Sequence, residues 1–310
     1  MSDQEMNLIE LMERFGSEDR CHTYLEQLRF PDGLYCIRCE SDKISRIYDR
    51  KQYHCDDCKY QFSVRTGTIF HGSHLPLQKW FVAIYLMSES KKGISANQLM
   101  RTIKVAYKTA WYLCHRIREA VKDADTTLLD GIVEVDETYI GGKARNMHKA
   151  VKERKIIGRG PSGKALVVGA IQRDGQVRLS RELATDRKTL HGFIKREICG
   201  TAEYIITDDH KAYIGIGDFD TIHESVNHSK GEYVRGSIHT NGIENVWSLF
   251  KRSIVGAFHH VSEKHLDRYL DEFEFRFNNR ENPYLFRDTV LRLIDSENLE
   301  YKDLTKSHTR

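Results

Sequence analysis

Residues 131–142 read GIVEVDETYIGG, and residues 203–208 read EYIITD. In the first stretch, alternation puts Val133 and Val135 on one face of a strand and Glu134, Asp136 and Thr138 on the other. An acid in the middle of an otherwise buried strand is costly unless it is paired or binds a metal. The second stretch repeats the situation, because the apolar run Tyr204, Ile205, Ile206 ends in Asp208 and Asp209. Between the two lie ALVVGAIQRDG (165–175) and QVRLSRELA (176–184), which read as strands, and DRKTLHGFIKREI (186–198), which reads as a helix. Strand, strand, strand, helix, strand predicts an α/β fold built on a mixed sheet.

Working outward toward the C-terminus, HTNGIENVWSLFKR (239–252) has helical periodicity. Asn241, Glu244, Ser248 and Lys251 share one face, while Ile243, Val246 and Phe250 occupy another. Glu244 and Lys251 lie nearly two turns apart, so carboxylate and amine point the same way. Residues 241–294 are mostly helical, with Leu266, Tyr269, Leu270, Phe273 and Phe277 in one stripe and a break at Pro283. Two strand aspartates and a helix glutamate could hold two divalent cations for phosphoryl transfer.

Toward the N-terminus, residues 8–33 predict two short helices ending at a Pro-Asp-Gly turn. The cysteines then set the pattern. Cys36 and Cys39 lie in CIRC and Cys55 and Cys58 in CDDC, a pair of knuckles that fits a tetrahedral, structural four-thiolate Zn²⁺ site. Around them Arg38, Lys43, Arg46, Arg50, Lys51 and Lys59 form a basic rim suited to phosphate. Next, GISANQLMRTIKVAYKTAWYLCHRIREAV (93–121) suits a helix-turn-helix. Ser95 is its N-cap, the turn falls around Val105 to Tyr107, and a second helix runs from about Lys108. That helix turns Trp111, Cys114, Ile117 and Val121 inward and offers Tyr107, Lys108, Arg116 and Arg118 to double-stranded DNA.

The whole chain of 310 residues carries 48 Lys and Arg against 45 Asp and Glu, a net charge of +3 that excludes a uniformly basic, histone-like binder. Residues 143–164 are the exception, with eight basic residues (among them Lys149, Lys152, Arg154 and Lys155) against the single acid Glu153. This insertion between the first two strands of the sheet is expected to lie along DNA phosphates. Within it GRGPSGKA nearly matches a P-loop, but Ala165 replaces the Mg²⁺-binding hydroxyl and a strand follows where a helix is required, which rules out that reading. No apolar run reaches membrane-span length and the acidic start has no signal layout, so a soluble, cytoplasmic protein is expected.

VDETYIGG, TDxxxxY (Asp208 to Tyr213) and NGIENVWSLFKR, in that order after a zinc ribbon, resemble the DDE insertion-sequence transposases of the ISXO-two-like group over nearly the whole chain. The resemblance implies an RNase H-like catalytic domain that binds the element's inverted ends and uses Mg²⁺. Asp136 and Asp208 would be the first two ligands, Glu244 the third and Lys251 a DNA-contacting partner. In the third place Asn241 and Asn245 flank Glu244, and the carboxylate is preferred because it binds Mg²⁺ more strongly than an amide. The implied activity cuts element ends and joins them to target DNA, with a homodimer expected because two ends must be held together. A metal-dependent nuclease without strand transfer and a domesticated zinc-ribbon/helix-turn-helix regulator are the alternatives. The expected order is N-terminal helices (1–30), zinc ribbon (31–70), helix-turn-helix region (71–126), catalytic domain (127–258) and C-terminal helices (259–310).

Overall fold

A computed structural model describes residues 6–122, 127–142, 148–149, 152–153, 156, 162–216, 221–227 and 234–306. The chain forms two compact units, one of Met1–Lys122 with Glu281–Arg310 and one of Asp123–Arg280.

The first unit opens with the two expected helices, α1 (Leu8–Arg14) and α2 (Glu18–Arg29). Both start where a side chain satisfies an orphan amide. Asn7 accepts from the N–H of Ile9 and Glu10 while Glu10 accepts from the N–H of Asn7, and Ser17 accepts from the N–H of Arg20. An antiparallel sheet follows, with β1 (Ile44–Ile47), β2 (Gln52–Cys55) and β3 (Gln61–Phe62) in that order. Glu26 of α2 accepts hydrogen bonds from Arg46 and Tyr53, tying the sheet to the helix. Then come α3 (Leu77–Glu89), α4 (Ala96–Ile103) and α5 (Tyr107–Ala120). Ser95 caps α4 as read from the sequence, and Lys104, at φ 49°, ends it in the left-handed conformation, so that α5 begins after a tight turn.

One expectation for α5 is corrected. Arg116 and Arg118 are not presented to solvent but are 3% and 2% exposed. Arg116 Nη2 donates to the carbonyls of Ile69 and His71 and to Asn298 Oδ1, and its guanidinium lies 5.0 Å from the Trp80 ring centre. The helix face that amphipathicity assigns to solvent is covered by the Ile69–His71 turn and by the C-terminal segment, a long-range packing that periodicity does not register.

The second unit holds β4 (Ile132–Ile140), β5 (Ala165–Gln172), β6 (Val177–Glu182), β7 (Tyr204–Asp208) and β8 (Ile222–Val226) in the order β6-β5-β4-β7-β8. β5 is antiparallel to both its neighbours β6 and β4, and β7 and β8 run parallel to β4. β8 is the strand the sequence reading missed, since IHESV carries apolar residues only at its ends. Helix α6 (Arg187–Glu197) packs Leu190, Phe193 and Ile194 with Val133, Val135 and Ile205 on one face. Helices α7 (Asn241–Ser253) and α8 (Leu266–Asn278) pack Ile243, Trp247, Phe250 and Phe273 with Ile140, Val167 and Val177 on the other. Odd-numbered residues of β4 therefore face α6 and even-numbered ones face α7.

The chain then returns to the first unit with α9 (Leu285–Asp295) and α10 (Tyr301–Thr305), after a break that contains Pro283. Phe286 of α9 packs its ring against Phe15, Tyr24 and Phe81. Residues 259–310, expected as one C-terminal block, are thus divided: α8 completes a layer on the sheet, and α9 and α10 belong with the N-terminal helices.

Candidate active site and metal centre

Cys36 and Cys39 flank the turn ahead of β1, and Cys55 ends β2 with Cys58 just beyond it. The Sγ atoms of Cys36 and Cys58 are 3.6 Å apart, as are those of Cys39 and Cys55, and all four sulfurs lie within 4.8 Å of one another. Four thiolates each about 2.3 Å from one zinc lie roughly 3.8 Å apart in a tetrahedron, so the set fits that metal. Knuckle amides point at the sulfurs: the N–H of Arg38 donates to Cys36 and that of Cys58 to Cys55. The Cys58 amide holds the Cys55 thiol down to about 7. All four cysteines are free of disulfides, and their four-thiolate arrangement is that of a structural Zn²⁺ ribbon.

The carboxylate site is built differently. In the parallel pairing of β4 with β7, Glu134 stands opposite Ile206, so two residues further on Asp136 comes level with Asp208 on the same face. Burial, then the neighbouring charges of Glu137 and Asp208, push the Asp136 carboxyl up to about 7. Glu137, on the other face, accepts a 2.6 Å hydrogen bond from Tyr213 Oη, and its carboxyl is also raised, first by burial and then by Asp208. The structure thus brings together Asp136, Asp208 and Glu137. Glu244, Asn241, Asn245 and Lys251 are exposed on α7, with Glu244 accepting from Thr240 Oγ1 at 3.3 Å. Among the described residues, the four cysteines alone gather three or more such ligand atoms within 4.8 Å, so Glu244 is not drawn in with the two aspartates.

Sequence reasoning missed four side-chain features that shape this site. Glu134, 1% exposed, accepts from the N–H of Ile243 at 3.1 Å and from Arg173 Nε at 3.0 Å, with His239 Nδ1 at 3.3 Å. It thereby fixes the first turn of α7, where an anion is favoured. A Cβ on Gly242 would lie 2.7 Å from a Glu134 oxygen, which explains the glycine of the Asn-Gly pair. Trp247 Nε1 donates to Asp136 Oδ2 at 3.0 Å. Tyr213 is buried beneath Glu137. The mid-strand glycine at 169 and the Trp on the apolar face of α7 were the available signals.

Of the cations assigned to DNA, Lys108 is exposed and sits 4.3 Å from the Tyr301 ring centre, and Lys149 and Lys152 are exposed. Arg154 and Lys155 lie outside the described residues.

The ISXO2-like transposase domain matches residues 128–278, and the transposase zinc-ribbon domain matches residues 16–61. The chain is 32% identical over 274 residues to the uncharacterized protein in transposable element ISH50 of Halobacterium salinarum, which covers 84% of this chain and 91% of that protein. It is also 32% identical over 88 residues to an uncharacterized transposase-like protein of Haemophilus influenzae, covering 28% of this chain and 70% of the relative. A chain in the complex of the simian T-cell lymphotropic virus intasome with the PP2A regulatory subunit B56 gamma aligns over 70% of this chain and 72% of its own at 11% identity. Its TM-score of 0.26 is too low to speak to fold or function.

Proposed function

Since the chain belongs to the ISXO2-like transposase family, we propose that it binds the inverted ends of a DNA element, cleaves them and joins them to target DNA at a centre formed by Asp136, Asp208 and Glu244. The observation that carries this reading is the nearness of Asp136 to Asp208 on adjacent parallel strands, each two residues beyond the Glu134–Ile206 pair, where burial and crowding by like charge favour a neutralising cation. Asp136, Asp208 and Glu244 would hold Mg²⁺, which when bound activates a water or 3′-hydroxyl for in-line attack and stabilises the leaving oxygen. The donor set fits, since hard carboxylate oxygens suit this ion. Glu244 and Lys251 lie nearly two turns apart on the exposed side of α7, so the third carboxylate and a phosphate-directed cation would point the same way.

The sheet order, three antiparallel strands continued by two parallel ones and a later helix carrying the third acid, supports an RNase H-like assignment. The capped α4, its tight turn and α5 support a helix-turn-helix role, with Lys108 rather than the buried Arg116 or Arg118 available to DNA. Lys149 and Lys152 add phosphate contacts, and Arg154 and Lys155 are assigned with them from their place in the basic insertion. A pair of protomers would hold the two element ends.

The test is a product-resolved assay on DNA carrying the repeats that flank the gene. Asp136→Ala, Asp208→Ala and Glu244→Ala are each expected to bind the ends and to lose both cleavage and joining by on the order of 10³-fold or more. Cleavage without joined products in the intact protein would favour a nuclease. Loss of activity in Asn241→Ala or Asn245→Ala, with activity kept in Glu244→Ala, would move the third ligand to an amide.

A further inference from the structure

The even-numbered face of β4 carries Asp136 in the middle of the sheet, where a carboxylate on a short side chain turns easily about its last torsion. One of its oxygens is engaged. Trp247 Nε1 reaches Oδ2 at 3.0 Å, and the indole is only 4% exposed, so the bond is sheltered from competing water. The ring has a prepared seat. Gly169 lies directly opposite Asp136 in the β4–β5 register, and a Cβ there would come within 2.6 Å of Trp247 Cη2 and 2.8 Å of Leu179 Cδ2. A glycine in mid-strand weakens a sheet, and close approach by another group is one of the standard reasons for one. Here the approaching group is the indole that contacts the acid.

We infer that Trp247 is a positioning residue for Asp136: its indole N–H pins one carboxylate oxygen and directs the other toward the cation site, with Gly169 retained to seat the ring. This rests on the reading of Asp136 as a metal ligand. It assigns to a residue of the third motif a task on the first motif, distinct from the carboxylate that motif also supplies. Partners of this kind, which orient a ligand without touching the metal, commonly change metal affinity by about 10–100-fold when removed.

The experiment uses the full zinc-loaded chain and measures Mn²⁺ binding directly by calorimetry, alongside the Mg²⁺ concentration that gives half-maximal cleavage. Trp247→Phe keeps an aromatic ring in the core and removes the N–H. It is expected to bind element ends as the parent does, to bind Mn²⁺ about tenfold more weakly, and to recover most of its cleavage at high Mg²⁺. Gly169→Ala displaces the ring while leaving donor and acceptor in place, and the same shift is expected. Should Trp247→Phe not fold, Gly169→Ala decides alone. Parental Mn²⁺ affinity in a folded variant would reduce Trp247 to a core residue and overturn the inference. Asp136→Asn separates the two levels: if it loses Mn²⁺ and Trp247→Phe does not, the inference falls alone, whereas parental affinity in Asp136→Asn removes Asp136 as a ligand altogether.

Discussion

The two metal-fitting regions of this chain assemble in opposite ways. In the ribbon, four ligands come from 23 consecutive residues, two knuckles joined by a hairpin, and all four sulfurs already lie within 4.8 Å of one another. In the sheet unit the three acids proposed as ligands come from positions 136, 208 and 244, and two of them lie close enough to interact by charge while the third is exposed on α7. Thiols are neutral when protonated and can crowd without charge repulsion. Carboxylates at neutral pH repel one another, and in the low-dielectric setting of a sheet centre that repulsion is large. A local chelate can therefore be complete in the folded chain, whereas a centre built from distant acids has reason to close only with its cations and DNA in place.

The largest expected effect breaks the ribbon side of this contrast. Cys39→Ser, or zinc removal by a strong chelator, is expected to unfold the region around residues 31–70, because ligand binding there is folding free energy, on the order of several kcal/mol. Metal analysis should find about one zinc per chain in the parent. A reduced, folded protein without zinc would contradict the assignment.

Next in size is Glu134, whose charge serves architecture. Glu134→Ala would leave Arg173 without its carboxylate and Ile243 with an unsatisfied buried amide, costing about 2–4 kcal/mol in chemical denaturation. By contrast, Asp136→Ala should cost little stability while abolishing activity. Equal destabilisation by the two would erase the distinction between an acid that builds the site and one that works in it.

The smallest effect sharpens the carboxylate side through pH. Burial and its acidic neighbours raise the Asp136 carboxyl from its ordinary 3.8 to about 7. The folded chain therefore holds a proton that the unfolded chain has lost across that window, and the stability from this group is present below about pH 4 and is lost as pH rises toward 7. In the absence of divalent cations, Asp136→Asn should match the parent near pH 4 and exceed it by a few kcal/mol at pH 8. Added Mg²⁺ should shrink that gap by stabilising the parent. A pH-independent difference would show that Asp136 is not under this strain.

Much of this architecture was legible in the sequence. The cysteine spacing marked the ribbon, Ser95 marked the start of α4, and alternation in GIVEVDETYIGG placed Glu134 and Asp136 on one face, which the structure bears out. What could not be read was long-range. The sequence does not reveal that α9 returns to the first unit, that the Ile69–His71 turn buries Arg116, or that Tyr213 and Trp247 each donate to an acid of β4 more than 70 residues earlier. Gly169 and Gly242 carried the trace of those contacts, since each stands where a Cβ would strike a functional side chain. That trace is readable only once the facing element is known.

The central claim is that Asp136 and Asp208 act as cation ligands in DNA end processing, and ligand exchange at Asp208 tests it most directly. Asp208→Cys puts a soft thiolate donor where a hard oxygen stood, so it should fail with Mg²⁺ and regain measurable cleavage and joining with Mn²⁺, which tolerates sulfur better. Asp208→Ala should stay inactive with both. Activity of Asp208→Cys in Mg²⁺ equal to the parent's, or no dependence of either variant on the metal supplied, would contradict the account.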